Sequence, residues 1–122
     1  MIDIHCHIIP ETDDGAADPE TASAMLDAAK RDNIDTIVAT SHYSPEGIAG
    51  YHDRFERLRK EAETQGIRLL KGCEYDLSIL STIEPGEVIT LGPTKYILVD
   101  MNQNFVPPSL LDLFFKFRLA GY

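Results

Sequence analysis

Residues 1–15, MIDIHCHIIPETDDG, hold the pattern on which the fold turns. Within them, residues 2–8 (IDIHCHI) alternate Ile2, Ile4, Cys6 and Ile8 with Asp3, His5 and His7. A period of two predicts a strand with one apolar face and one face carrying an acid and two imidazoles. Pro10, Thr12, Asp13, Asp14 and Gly15 then predict a loop over residues 9–18.

The rest of the chain repeats a strand-then-helix rhythm. Asp18-Pro19-Glu20 reads as a helix start, with Asp18 as N-cap and Pro19 at the first helical position. Ala22, Met25, Leu26 and Ala29 follow at helical spacing and predict a stripe that packs on a sheet. Residues 35–40 (DTIVAT) predict a second strand. A second helix is expected from about Tyr51 to Gln65, with Phe55, Leu58 and Ala62 inward and Gly66 at the C′ position. Residues 67–75 (IRLLKGCEY) predict a third strand, residues 77–83 a short helix and residues 95–101 (KYILVDM) a fourth strand. Pro107-Pro108 opens a last helix, SLLDLFFKFRLAG, that is apolar nearly all round. Such alternation predicts an α/β fold with a parallel sheet and right-handed crossovers. Four βα units make half of a barrel or a small open sheet.

Size and charge narrow the classes. At 122 residues the chain fits one domain, well short of the roughly 250 residues of a full α/β barrel. The net charge of −9, from 20 acidic and 11 basic residues, disfavours nucleic acid and anionic membrane surfaces as partners. No apolar run is long enough for a transmembrane helix, and Asp3, His5 and His7 interrupt what a signal peptide would need. Cys6 and Cys73 make no disulfide framework. The chain therefore reads as cytoplasmic, with reduced thiols.

In parallel βα architectures, functional groups gather at the C-terminal ends of the strands. His5 and His7 end the first predicted strand, with Asp13 and Asp14 in the loop after it. His42 follows the second, Glu74 ends the third and Asp100 lies near the end of the fourth. Each strand thus brings a metal-compatible ligand to one rim. A His-x-His pair on a strand points both rings to one side, about 6–7 Å apart at the backbone, so that both can reach one ion. Imidazole with carboxylate suits manganese, iron or zinc. Two bridged ions about 3.5–4 Å apart can acidify a shared water and clamp a phosphoryl group. The expected chemistry is metal-assisted hydrolysis of a phosphate ester.

Taken singly, each residue has an ordinary reading. His-x-His can be a polar strand face, and Asp13-Asp14-Gly15 a turn. His42 can be a loop histidine, Glu74 an ion-pair partner of Lys71 or Arg68, and Asp100 a strand-end residue. Their convergence favours a metal site, with Asp14 as ligand and Asp13 as a structural residue. His52 is expected at the surface. A cysteine phosphatase needs an arginine six residues after its nucleophile. Thr12 and Ile79 stand there instead, so Cys6 and Cys73 are expected in the core.

IDIHCHIIPETDDG, VATSHY, KGCEYD and KYILVDM, in this order, resemble the PHP (polymerase and histidinol phosphatase) superfamily. Within it they are most similar to the bacterial capsule and exopolysaccharide branch, the manganese-dependent protein tyrosine phosphatases. The resemblance implies a distorted (β/α)₇ barrel with two to three metal ions at its C-terminal rim. It also implies dephosphorylation of the tyrosine-rich cytoplasmic tail of a kinase that controls polysaccharide chain length. Carried over by position, His5 and His7 bind one metal, Glu74 bridges it to a second, and Asp14 and His42 hold a third. Asp100 falls where this branch has a metal-binding glutamate. Residues 1–122 are then a single PHP-like domain, C-terminally incomplete relative to a family about twice as long, whose later arginine and Asp-x-His motif have no counterpart here. The open barrel edge and the apolar last helix are expected to pair with a second copy or a partner. Two other functions compete. One is an amidohydrolase-type metal hydrolase, which also begins with a strand HxH. The other is a catalytically incomplete metal-binding fragment that assembles with a partner.

Overall fold

A computed structural model describes residues 1–45, 47, 50–101 and 106–122. In chain order its elements are β1 (Ile2–Cys6), α1 (Pro19–Arg31), β2 (Thr36–Ala39), α2 (Tyr51–Thr64), β3 (Arg68–Lys71), β4 (Glu74–Asp76), α3 (Leu77–Leu80), β5 (Leu98–Asp100) and α4 (Leu110–Leu119), with a single 3₁₀ turn at Pro85–Glu87. β1, β2 and β3 form one parallel sheet in that order, and β4 and β5 a second parallel pair. An isolated parallel bridge between His42 and Glu74 carries the line of β2 across to β4. The strand neighbours therefore run in sequence order around an arc, as half of a βα barrel requires.

Local chemistry explains the helices. Asp18 caps α1 by accepting the Thr21 N–H at 2.7 Å, and Pro19 takes the first position, where its missing N–H costs nothing. α1 and α2 end alike. The N–H of Ile34 reaches back to the Ala29 carbonyl and that of Ile67 to the Ala62 carbonyl, both at 2.9 Å, with Asn33 and Gly66 left-handed at C′. Ala22, Leu26 and Ala29 of α1 and Phe55, Leu58 and Ala62 of α2 meet Ile37, Ala39 and Leu69 of the sheet in the first apolar cluster. A second cluster joins Cys73, Tyr75, Leu80, Ile83 and Phe117 on the other side of the chain.

Three strand expectations need correction. The strand expected over 95–101 is shorter, Leu98–Asp100. The single strand expected over 67–75 is two, broken at Gly72-Cys73. A Cβ on Gly72 would lie 2.7 Å from a Val38 methyl and 3.2 Å from the Ala39 carbonyl, so the backbone passes β2 more closely than any side chain permits. The Tyr51 hydroxyl donates to the Gly72 carbonyl at 3.1 Å and holds the break in place. The first strand ends at Cys6 rather than residue 8, and its apolar face is buried only at one end. Ile8 and Ile9 are fully buried beyond the strand, whereas Ile2 and Ile4 are 59% and 56% exposed. The register sets Ile2 beside Thr36, one residue before Ile37, which turns toward the helices. Ile2 thus lies on the face away from the helices, on an edge strand with one neighbour. The last helix begins at Leu110 rather than at the prolines. It buries only Phe117, leaving Leu111 78% and Phe115 61% exposed. No helix among the described residues is long and apolar enough to cross a membrane.

Candidate metal centre

The C-terminal end of β1, the loop after it, the loop after β2 and the first residue of β4 meet at one point. Thr40, just past β2, ties the end of β1 to the segment that follows β2. Its hydroxyl accepts the Cys6 N–H at 2.8 Å, and its own N–H donates to the Cys6 carbonyl at 2.9 Å. The Asp13-Asp14-Gly15 loop then folds back onto His7. A Cβ on Gly15 would lie only 2.1 Å from the His7 carbonyl oxygen, so only glycine allows this approach.

The donor atoms converge closely. His5 Nε2 lies 3.3 Å from both His7 Nε2 and Glu74 Oε1, and His7 Nε2 lies 3.0 Å from Glu74 Oε2. His42 Nδ1 lies 3.3 Å from Glu74 Oε2, and His42 Nε2 lies 3.6 Å from Asp14 Oδ1. Asp14 Oδ1 is also 3.2 Å from His7 Nδ1. Two groups follow, His5 with His7 and Glu74, and His7 with Asp14 and His42. Donors around one ion at about 2.1 Å stand about 3.0–3.4 Å apart along the edges of an octahedron or tetrahedron, so these spacings fit a metal. The chemistry fits as well, because imidazole and carboxylate lone pairs turned toward one point repel unless a proton or cation lies between them.

Glu74 is the inner member of the set, its side chain only 8% exposed. It faces three histidines, and among the described residues no lysine or arginine comes within 4.0 Å of it. The Lys71 ammonium instead approaches His52 at 2.7 Å and lies over the Phe55 ring, and His52 is exposed. Asp100 is not brought into either group. It ends β5 in register with Asp76, exposed, and Asp76 turns its own carboxylate to the Ser78 N–H to cap α3. Asp13 is the residue whose part the sequence understates. Its carboxylate accepts from the backbone N–H of Gly15 at 3.0 Å and of His42 at 2.8 Å, and lies 3.0 Å from His7 Nδ1. The only signal for this in the chain is its place beside Asp14 in a loop that glycine closes.

The thiols stand apart from this chemistry. Burial, with a smaller push from the Asp3 charge, raises Cys6 to about 11; burial and the Asp13 charge raise Cys73 to about 12. Neither is a thiolate near neutral pH. Cys6 packs on the first cluster and Cys73 lies in the second, as expected for core residues.

Known proteins resemble this chain along most or all of its length. The tyrosine-protein phosphatase YwqE of Bacillus subtilis is 34% identical over 131 residues, covering 100% of this chain and 51% of its own length. The tyrosine-protein phosphatase CpsB of Streptococcus pneumoniae is 32% identical over 113 residues, covering 85% of this chain and 46% of its own. The chain spans about half the length of the curated relatives it matches. Among solved structures, one from a study of YwqE and CpsB as unique metal-dependent tyrosine phosphatases matches with a TM-score of 0.84 at 33% identity, covering 100% of this chain and 53% of that one. The family model for capsular polysaccharide synthesis, CpsB/CapC, matches residues 1–122 from end to end, and the chain belongs to that family.

Proposed function

We propose that this chain carries the first half of the metal centre of a protein tyrosine phosphatase. The observation that supports this is the linked set of His5, His7, Glu74, His42 and Asp14, each with a donor atom 3.0–3.6 Å from one of another member, brought together from the end of β1, the loops after β1 and β2, and the start of β4. His5, His7 and Glu74 would hold one ion, Asp14 and His42 would serve another, and Glu74 would join the two. Asp100 is left to reach the rim from β5, in a closed barrel or through water. Manganese suits the mixed donor set, as do iron and zinc. When bound, such ions polarise a phosphoryl oxygen and acidify a water. The chain's own part is to fix the donors on strand ends, to bury Glu74 so that it cannot swing into solvent, and to leave the solvent side of His5 and His42 open to a phosphate.

The substrate class that follows is phosphotyrosine on a protein, the tail of a tyrosine kinase in capsule or exopolysaccharide synthesis, with the reaction in the cytoplasm. Residues 1–122 read as one PHP-like domain whose barrel needs more strands than these residues carry. Exposed Ile2 and Ile4 on edge strand β1, and the apolar surface of α4, are where the remaining strands, a second copy or a partner would close it. One observation favours a second reading, a metal-holding unit without turnover of its own. Among the described residues, no lysine or arginine side chain pairs with the carboxylates of the centre.

Metal analysis of the purified protein, paired with phosphate release from p-nitrophenyl phosphate in manganese, tests both. Wild-type protein should retain metal and release phosphate. His5→Ala and His7→Ala should lose bound metal and turnover together. Metal without turnover would support the second reading. Metal content unchanged in both variants would sink the site assignment.

A further inference from the structure

Two carboxylates compete for one nitrogen of His7. Asp13 Oδ2 lies 3.0 Å from Nδ1 and Asp14 Oδ1 lies 3.2 Å from it. As the side chains stand, the Asp14 contact is the one aligned as a hydrogen bond, whereas Asp13 is slightly nearer but off that line; the surroundings favour Asp13. The Asp13 side chain is 5% exposed and held by two backbone N–H groups, those of Gly15 and His42. The Asp14 side chain is 78% exposed. A carboxylate that is already oriented and dry makes the stronger hydrogen bond to an imidazole N–H than one that must first give up water.

We infer that Asp13 is a positioning residue, which takes the Nδ1–H of His7 and so fixes Nε2 as the ligand atom. Because the same Oδ2 accepts the His42 backbone N–H at 2.8 Å, Asp13 sets the relation between two metal-ligating histidines from different strands. The inference rests on the metal-centre reading above. It also refines that reading. With Nδ1 engaged, His7 serves only the ion it shares with His5 and Glu74. Asp14 is left to swing toward the Nε2 of His42, and the second ion draws on Asp14, His42 and the shared Glu74 rather than on His7. A carboxylate behind a ligating imidazole fixes its tautomer and raises its basicity, and losing one lowers metal affinity about 10–100-fold.

The test is Asp13→Asn. Asparagine offers one acceptor oxygen where aspartate offers two. With its oxygen toward His7 and His42, its NH₂ meets the Gly15 N–H donor to donor. Flipped, the NH₂ donates to Nδ1 and drives the ring proton to Nε2. Long-range ¹H–¹⁵N spectra of the metal-stripped protein read the tautomer directly, and Mn²⁺ titration reads affinity. Wild-type His7 should carry its proton on Nδ1. Asp13→Asn should move it at least partly to Nε2 and weaken Mn²⁺ about 10–100-fold, while Asp14→Asn leaves the tautomer as it was. A wild-type His7 protonated on Nε2 would overturn the inference even if Asp13→Asn does not fold. So would an unchanged tautomer and affinity in Asp13→Asn, or a tautomer that follows Asp14 instead. A protein that binds no Mn²⁺, yet whose His7 proton moves in Asp13→Asn, would support the role of Asp13 and overturn the metal reading alone.

Discussion

The two apolar clusters are closed in different ways. In the first, α1 and α2 each present one apolar stripe to the sheet and a charged face to water, so Leu26, Ala62 and Ile37 are all but fully buried. In the second, Tyr75 and Leu80 are as deeply buried, but their neighbours Ile97, Val99 and Leu113 are only half covered. The helix that roofs this cluster, α4, is apolar on both sides, and satisfies one with Phe117 while Leu111, Phe115 and Leu119 face solvent. An amphipathic helix finishes a core by itself, whereas a helix apolar all round needs a second surface.

Truncation separates the two clusters most strongly. Leu26→Ala, where packing is tight on every side, should cost near the upper end of the roughly 2–5 kcal/mol range for such changes. Leu80→Ala should cost about 2 kcal/mol, because half-covered neighbours can collapse into the space. Urea unfolding of both variants checks this, and equal costs would mean that the second cluster is as rigid as the first.

A smaller effect comes from the two thiols, one per cluster. An unfolded cysteine ionises near 9.0, whereas burial holds Cys6 to about 11 and Cys73 to about 12. From pH 9 upward the unfolded chain releases protons that the folded chain keeps, so stability is intact below 9 and falls as pH rises toward 12. Cys73→Ala should flatten this alkaline decline more than Cys6→Ala does, as urea midpoints at pH 8 and pH 10.5 would reveal. The smallest change in stability belongs to the open side. Phe115→Ser should shift unfolding by no more than about 0.5 kcal/mol. It should nevertheless reduce self-association or dye binding, as light scattering and fluorescence would show.

What could be read from the sequence was what local chemistry decides. Thr36, Ile37 and Val38 are a β-branched run, buried throughout, and Asp18-Pro19 supplies the cap and first-position chemistry that starts α1. The gathering of His5, His7, His42 and Glu74 followed from the one-rim rule for parallel strands. What could not be read depends on neighbours distant in sequence. The break at Gly72 is set by Val38 and Ala39 across the sheet; the glycine marks a weak point within residues 67–75, but what passes close to it lies outside that stretch. Ile2 and Ile4 alternate like any half-buried strand, but their exposure depends on what lies beside β1. Asp100 shares the rim by rule and stands outside both donor groups because β5 pairs with β4 one strand farther along the arc. Asp13 and Asp14 are identical in type, and only the depth of the loop tells them apart.

The break at Gly72-Cys73 has a thermodynamic consequence. It hands one length of chain from the first cluster to the second, with Leu69 on one side and Cys73, Glu74 and Tyr75 on the other. The two clusters are thus natural candidates for separate units of opening, joined mainly along this seam. His5 and His7 extend from the first sheet and Glu74 from the second pair of strands. An ion shared among them, as proposed above, would bind only when both units are closed, so its binding free energy would add to their cooperativity. Hydrogen exchange would then slow on both sides of the seam together, with the more open β4–β5 side gaining the most protection.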